Sequence, residues 1–120
     1  MTYENDCLAL DKELAKLLGW KHIFSRPTQF AEGVSYKNSY VEGISPNWPC
    51  GPAMEIPRWT QDSKECFELA VEYAMSPMIG SAGVVVANTD AIIWYKDFPD
   101  KLSAVRFSVC QAVVNKLKNV

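Results

Sequence analysis

Histidine is almost missing from this 120-residue chain, with His22 the only one, and the four cysteines form no C-x-x-C pair. A zinc site needs three or four nitrogen and sulfur ligands drawn together, so His22 is read as structural or surface and no metal or other cofactor is expected. Cys7, Cys50, Cys66 and Cys110 lie far apart, and three of them fall in apolar periodic segments where a free thiol acts as a small hydrophobe. They are read as reduced and structural, as in a cytoplasmic protein. A net charge of −2 leaves no basic footprint for nucleic acid and no polybasic membrane patch. No apolar run is long enough to span a bilayer, and Glu4 and Asp6 replace the basic start of a signal peptide.

Catalytic motifs are missing as well. There is no G-x-S-x-G, and Ser81 in I-G-S-A-G reads as a turn before a strand. Gly80 and Gly83 lack the strand-before, helix-after context of a phosphate loop. The carboxylate pairs Asp62/Glu65 and Asp97/Asp100 sit where helices begin, the placement that capping and the helix dipole favour. The chain is therefore read as non-enzymatic.

What is present is the frame of one domain, residues 1–120, with a hydrophobic share of 48% that can form a core without staples. The spacing predicts a first helix with Cys7, Leu10, Leu14, Leu17 and Leu18 on one face, stopped by Gly19. His22–Phe24 reads as a strand ended by Arg26-Pro27, and no regular structure is assigned across residues 26–59, where Gly33 and Lys37-Asn38 mark turns. A second helix starts near Asp62-Ser63, with Cys66, Leu69, Ala70, Tyr73 and Ala74 as its apolar stripe, and ends at Ser76-Pro77. Gly83–Ala87 and Ala91–Tyr95 read as a hairpin around Asn88-Thr89-Asp90. The last helix runs from about Pro99 to Leu117 with two stripes, one through Leu102, Val105, Val109, Val113 and Leu117, the other through Phe107, Cys110 and Val114. A helix apolar on two sides is buried on two sides, so a homo-oligomer, most simply a dimer, is expected. The fold expected is α+β: a small, mainly antiparallel sheet with helices on both faces, three main helices and a Pro- and aromatic-rich loop.

That loop, Ile44–Trp59, holds four of the seven prolines and two of the four tryptophans. Prolines at this density fix φ and remove donors, so the aromatics they brace either fill a core or face a partner. Trp48, Trp59, Tyr36, Tyr40 and Phe30, with Arg26 and Arg58, all fall between the first two helices. Trp, Tyr and Arg dominate binding hot spots, and aromatic faces with Arg also suit a nucleotide base. Trp59, just before the capping segment, leans structural; Trp48, between Pro46 and Pro49, leans exposed. Arg106 lies between the two stripes of the last helix, where a buried ion pair or an anionic ligand would meet its charge.

Three stretches carry a resemblance: Leu14–Trp20 with L-G-W, Ile56–Asp62 with I-P-x-W-T-x-D entering a helix, and Ala104–Leu117 with A-V-R-F-x-V-C-x-A-V-V-N-K-L. Together with the order of the elements they resemble small phage and prophage proteins of the phage ABA sandwich domain family. The resemblance implies helices on both sides of a sheet and a phage origin, and it brings no catalytic residue to any position here. It implies an accessory protein, in the cytoplasm of an infected bacterial host, that binds and inhibits a host defence factor. Sequestration of a small nucleotide signal is the alternative within binding; an enzyme acting on a nucleotide or phosphoester is the alternative from another class.

Overall fold

The computed structural model describes residues 3–30, 33–86 and 92–118, with the side chains of Glu4 and of residues 25–40 outside that description. The described residues form an α+β fold of three helices and two three-stranded antiparallel sheets. The strands expected in one sheet are thus divided between two. By contacts the chain falls into two compact units, Met1–Ile56 and Pro57–Val120.

In the first unit, α1 (Tyr3–Leu17) buries Cys7, Leu10 and Leu14, the face its periodicity predicts. It stops where Gly19 adopts a left-handed φ of 100° and the Trp20 N–H returns 2.9 Å to the Ala15 carbonyl. β1 (Lys21–Phe30), β2 (Gly33–Ile44) and β3 (Met54–Glu55) follow in sheet order.

This corrects the reading of residues 26–59 as irregular: β1 runs through Arg26-Pro27. Arg26 pairs with Tyr40, and the next pair is Thr28 with Ser35, so Pro27 sits at a break in register where residues 36–39 bulge out of β2. A bulge spares proline the ladder N–H that it lacks. The Lys37-Asn38 turn signal therefore marks an irregularity inside a strand. A second shift separates Lys21↔Ile44 from Phe24↔Glu42 and is accompanied by His22 at φ 53°. Opposite it, a Cβ on Gly43 would come within 3.2 Å of Ile23 Cγ1 and of the Lys21 carbonyl, so the close strands leave room for glycine.

In the second unit, Asp62 caps α2 (Ser63–Glu72) by accepting from the Lys64 and Glu65 N–H groups at 2.9 and 3.2 Å. The helix ends before the expected Ser76-Pro77. Ala74 turns left-handed at φ 56°, and the Met75 N–H donates to the Ala70 carbonyl at 2.8 Å. β4 (Pro77–Ile79), β5 (Gly83–Val86) and β6 (Ile93–Trp94) form a meander. The hairpin pairs Gly83 with Trp94 and Val84 with Ile93, while the Asn88-Thr89-Asp90 loop lies outside the described residues. β4 was not foreseen; its proline is the first residue of an edge strand, the position a sheet tolerates.

Tyr95 opens a short 3-10 turn (Tyr95–Asp97) and donates its hydroxyl to the Gly80 carbonyl at 2.8 Å. Its buried ring joins Val84 and Ala104 in a core that Ile93, Phe98 and Val105 flank. Asp100 begins α3 (Lys101–Lys118) by accepting from the Ser103 N–H at 2.7 Å. Both predicted stripes of α3 are largely buried within one chain: Val109, Cys110, Val113 and Val114 are covered, and the helix packs on α2 and β5, so its two-sided apolarity, from which a dimer was expected, is met inside the fold. Leu102 alone stands out, 64% exposed.

Candidate functional site

Trp48 belongs to the first unit, on a loop built of consecutive turns. Ser45 Oγ accepts from the Asn47 N–H at 3.1 Å, the Trp48 N–H donates to the Ser45 carbonyl at 3.2 Å, and the Gly51 N–H donates to the Trp48 carbonyl at 3.0 Å. Pro46 and Pro49 fix φ on either side. The indole lies across Gly51, where any Cβ would collide with it. These contacts set the direction of a ring that is 56% exposed. Pro46 and Pro49 also line a cavity of about 350 Å³ with Gly19, Lys21, His22 and Ser45. The loop thus offers a braced aromatic beside a small, mainly apolar hollow. Cys50, next in the chain, is exposed.

Trp59 and Arg58 belong to the second unit. Trp59 is 5% exposed and fills the interior, as its place before the cap suggests. Arg58 is half-buried, and its carbonyl accepts from the Gln61 and Asp62 N–H groups at 2.9 and 2.8 Å, shaping the turn that delivers Asp62 to the helix start. Trp48 and Trp59 therefore do different work. Arg26 and Tyr40 face each other in the β1–β2 ladder, and Tyr36 lies in the bulge between; their side chains, with that of Phe30, lie outside the described residues.

Arg106 corrects one expectation. Its guanidinium meets no carboxylate directly among the described residues; it donates to three neutral oxygens, the Thr60 carbonyl at 3.1 Å, Ser63 Oγ at 3.0 Å and Ser103 Oγ at 3.2 Å. These bonds tie α3 to the segment entering α2, so its first duty is structural. The Asp100 carboxyl is held below the usual aspartate range, chiefly by the Ser103 N–H, then by the Ser103 hydroxyl, with the Arg106 charge adding to them against a small cost of burial.

A second surface was missed in the sequence. α2 and α3 border an open groove of about 630 Å³. Its floor includes Cys66 and Val109, both buried, and its rims carry Phe67, Val71 and Leu102, exposed at 70%, 65% and 64%. Among the described residues, Arg106 is the only charged one that lines it. The signal was in the sequence: Phe67 and Val71 are apolar, four apart, and lie off the stripe that packs α2 into the core.

Among the described residues no group of three His, Cys, Asp or Glu side chains is placed to hold a metal ion, and no helix is long and apolar enough to cross a membrane. Compared with known proteins, the chain matches no family model, no curated protein and no solved structure.

Proposed function

We propose that this protein is a non-enzymatic phage accessory protein that acts as a homodimer in the cytoplasm of an infected bacterium, binding and inhibiting a host defence factor. The phage setting rests on the resemblance in Leu14–Trp20, Ile56–Asp62 and Ala104–Leu117. The binding mode rests on one observation, the exposed Trp48 indole locked by turns, by Pro46 and Pro49, and by the close floor of Gly51. An aromatic anchor that is already rigid loses little conformational entropy on binding, which is why Trp dominates hot spots. Nucleotide capture draws less support, because the larger groove is lined mainly by apolar residues, with Phe67 the single aromatic among the described ones.

The test is phage plating on bacteria that carry defence systems. Expression of the wild-type chain is expected to raise plating on at least one such host, and Trp48→Ala to remove the effect while its melting temperature stays near wild type. A chain that protects no phage, or a Trp48→Ala variant as active as wild type, overturns the reading.

A further inference from the structure

The geometry points to the exposed Phe67–Val71 ridge of α2, at the rim of the α2–α3 groove, as the dimer interface, packed against the same ridge of a second copy running antiparallel across a two-fold axis near Phe67. The inference rests on the dimer reading above and not on Trp48.

Arg106 reaches Thr60 and Ser63 at the start of α2, and Lys116 Nζ donates to the Tyr73 carbonyl at its end, 2.9 Å away. The two helices therefore run the same way, and Leu102, one turn before Arg106, lies ahead of the first turn of α2, at the opening of the groove. The apolar exposure is thus laid out in order along one face: Leu102 at the start of the groove, Phe67 in the middle and Val71 beyond it.

This layout is self-complementary. A two-fold axis at Phe67 stacks that ring on its counterpart and brings each Val71 over the first turn of the partner's α2, so both exposed apolar side chains of the ridge lose water together. The flank of the ridge agrees. Lys64 and Glu68 are exposed, four residues apart on one side of the Phe67–Val71 ridge, and make no ion pair among the described residues. In an antiparallel helix pair like flanks face each other, so each Lys64 meets the partner's Glu68. One positive and one negative charge on the same flank suit a second copy better than a foreign helix of uniform sign. The charge of −2 per chain opposes such pairing only weakly. Arg106 needs no new partner, being held on its three neutral oxygens.

The experiment is sedimentation of the full chain over about 1 to 100 micromolar, with circular dichroism on every variant. Wild type is expected to dimerise, and Phe67→Glu to weaken self-association about tenfold or more. Lys64→Glu sets two acids on each flank and weakens it too, while the double variant K64E/E68K restores it, since exchanging the charges keeps the flank self-complementary. Met78→Glu, on the exposed outer face of the β4–β6 sheet, leaves the dimer intact. A wild-type monomer throughout the range sinks the dimer and its interface together. A dimer that survives Phe67→Glu, or is lost with Met78→Glu alone, sinks this interface and leaves the dimer standing. A double swap no better than Lys64→Glu overturns the antiparallel register.

Discussion

Gly19 and Ala74 occupy the same position at two helix ends. Each is left-handed, at φ 100° and 56°, and each is followed by a residue whose N–H returns to the carbonyl five positions back, Trp20 to Ala15 and Met75 to Ala70. The motif is identical and the residue is not. Glycine adopts this backbone freely, whereas alanine places its Cβ against the following carbonyl at a cost of about 1–2 kcal/mol.

Exchanging the two should therefore act in opposite directions. Ala74→Gly is expected to stabilise the chain by about 0.5–1 kcal/mol, the relieved strain being partly offset by the freedom glycine gains on unfolding. Gly19→Ala should destabilise by about 1 kcal/mol or more. Urea titration of both variants measures this; a loss of stability in Ala74→Gly would contradict the account.

The two loop tryptophans separate by burial. Trp59→Ala empties an interior site and should cost about 3–5 kcal/mol. Trp48→Ala removes an indole that is 56% exposed and should cost far less. Thermal melting of the pair decides between a presented ring and a packed one: if Trp48→Ala lowers the melting temperature as much as Leu14→Ala, the loop is core filling.

Thiol reactivity should follow exposure. Cys7, Cys66 and Cys110 are buried and Cys50 is exposed. In the native protein one thiol should react quickly with an aromatic disulfide reagent, and four should react after unfolding without reductant. Cys50→Ser should remove the fast phase alone. A second fast thiol in native protein would show that one of the three interior sites opens readily.

Asp100 links stability to acid. Its folded carboxyl titrates below the ordinary aspartate value, so the unfolded chain binds the proton first. The stabilisation is then present above the unfolded value, near pH 4, and is lost as pH falls through the lower folded value. Asp100→Asn keeps a capping oxygen without the titration. Its melting temperature should lie below that of wild type at neutral pH, with the gap closing in acid; a gap that ignores pH would place the effect elsewhere.

Some of this was legible residue by residue. Asp62 as cap, Gly19 as stop and the buried face of Cys7, Leu10 and Leu14 involve partners within a few positions, and local chemistry suffices to choose them. The β5–β6 pairing follows from two apolar runs close in the chain. Residues 26–44 were not legible, because Pro27 breaks a strand unless a bulge on β2 releases it from the ladder, and that bulge is a property of the partner strand. Early closure of α2 likewise depends on Ala74 accepting a conformation its residue type disfavours.

The sequence by itself determined that three segments form helices, Asp62 as the cap of α2, the α+β class and the choice of Trp48 over Trp59 as the exposed ring, since each follows from neighbours along the chain. Tertiary structure decided the rest: that the strands form two sheets, that Arg106 is met by neutral oxygens, and that Phe67, Val71 and Leu102 stay exposed. The physical reason is that exposure belongs to a pair of surfaces. Periodicity shows which residues share a face of α2, but only the position of α3 shows which part of that face is covered and which is left as a groove.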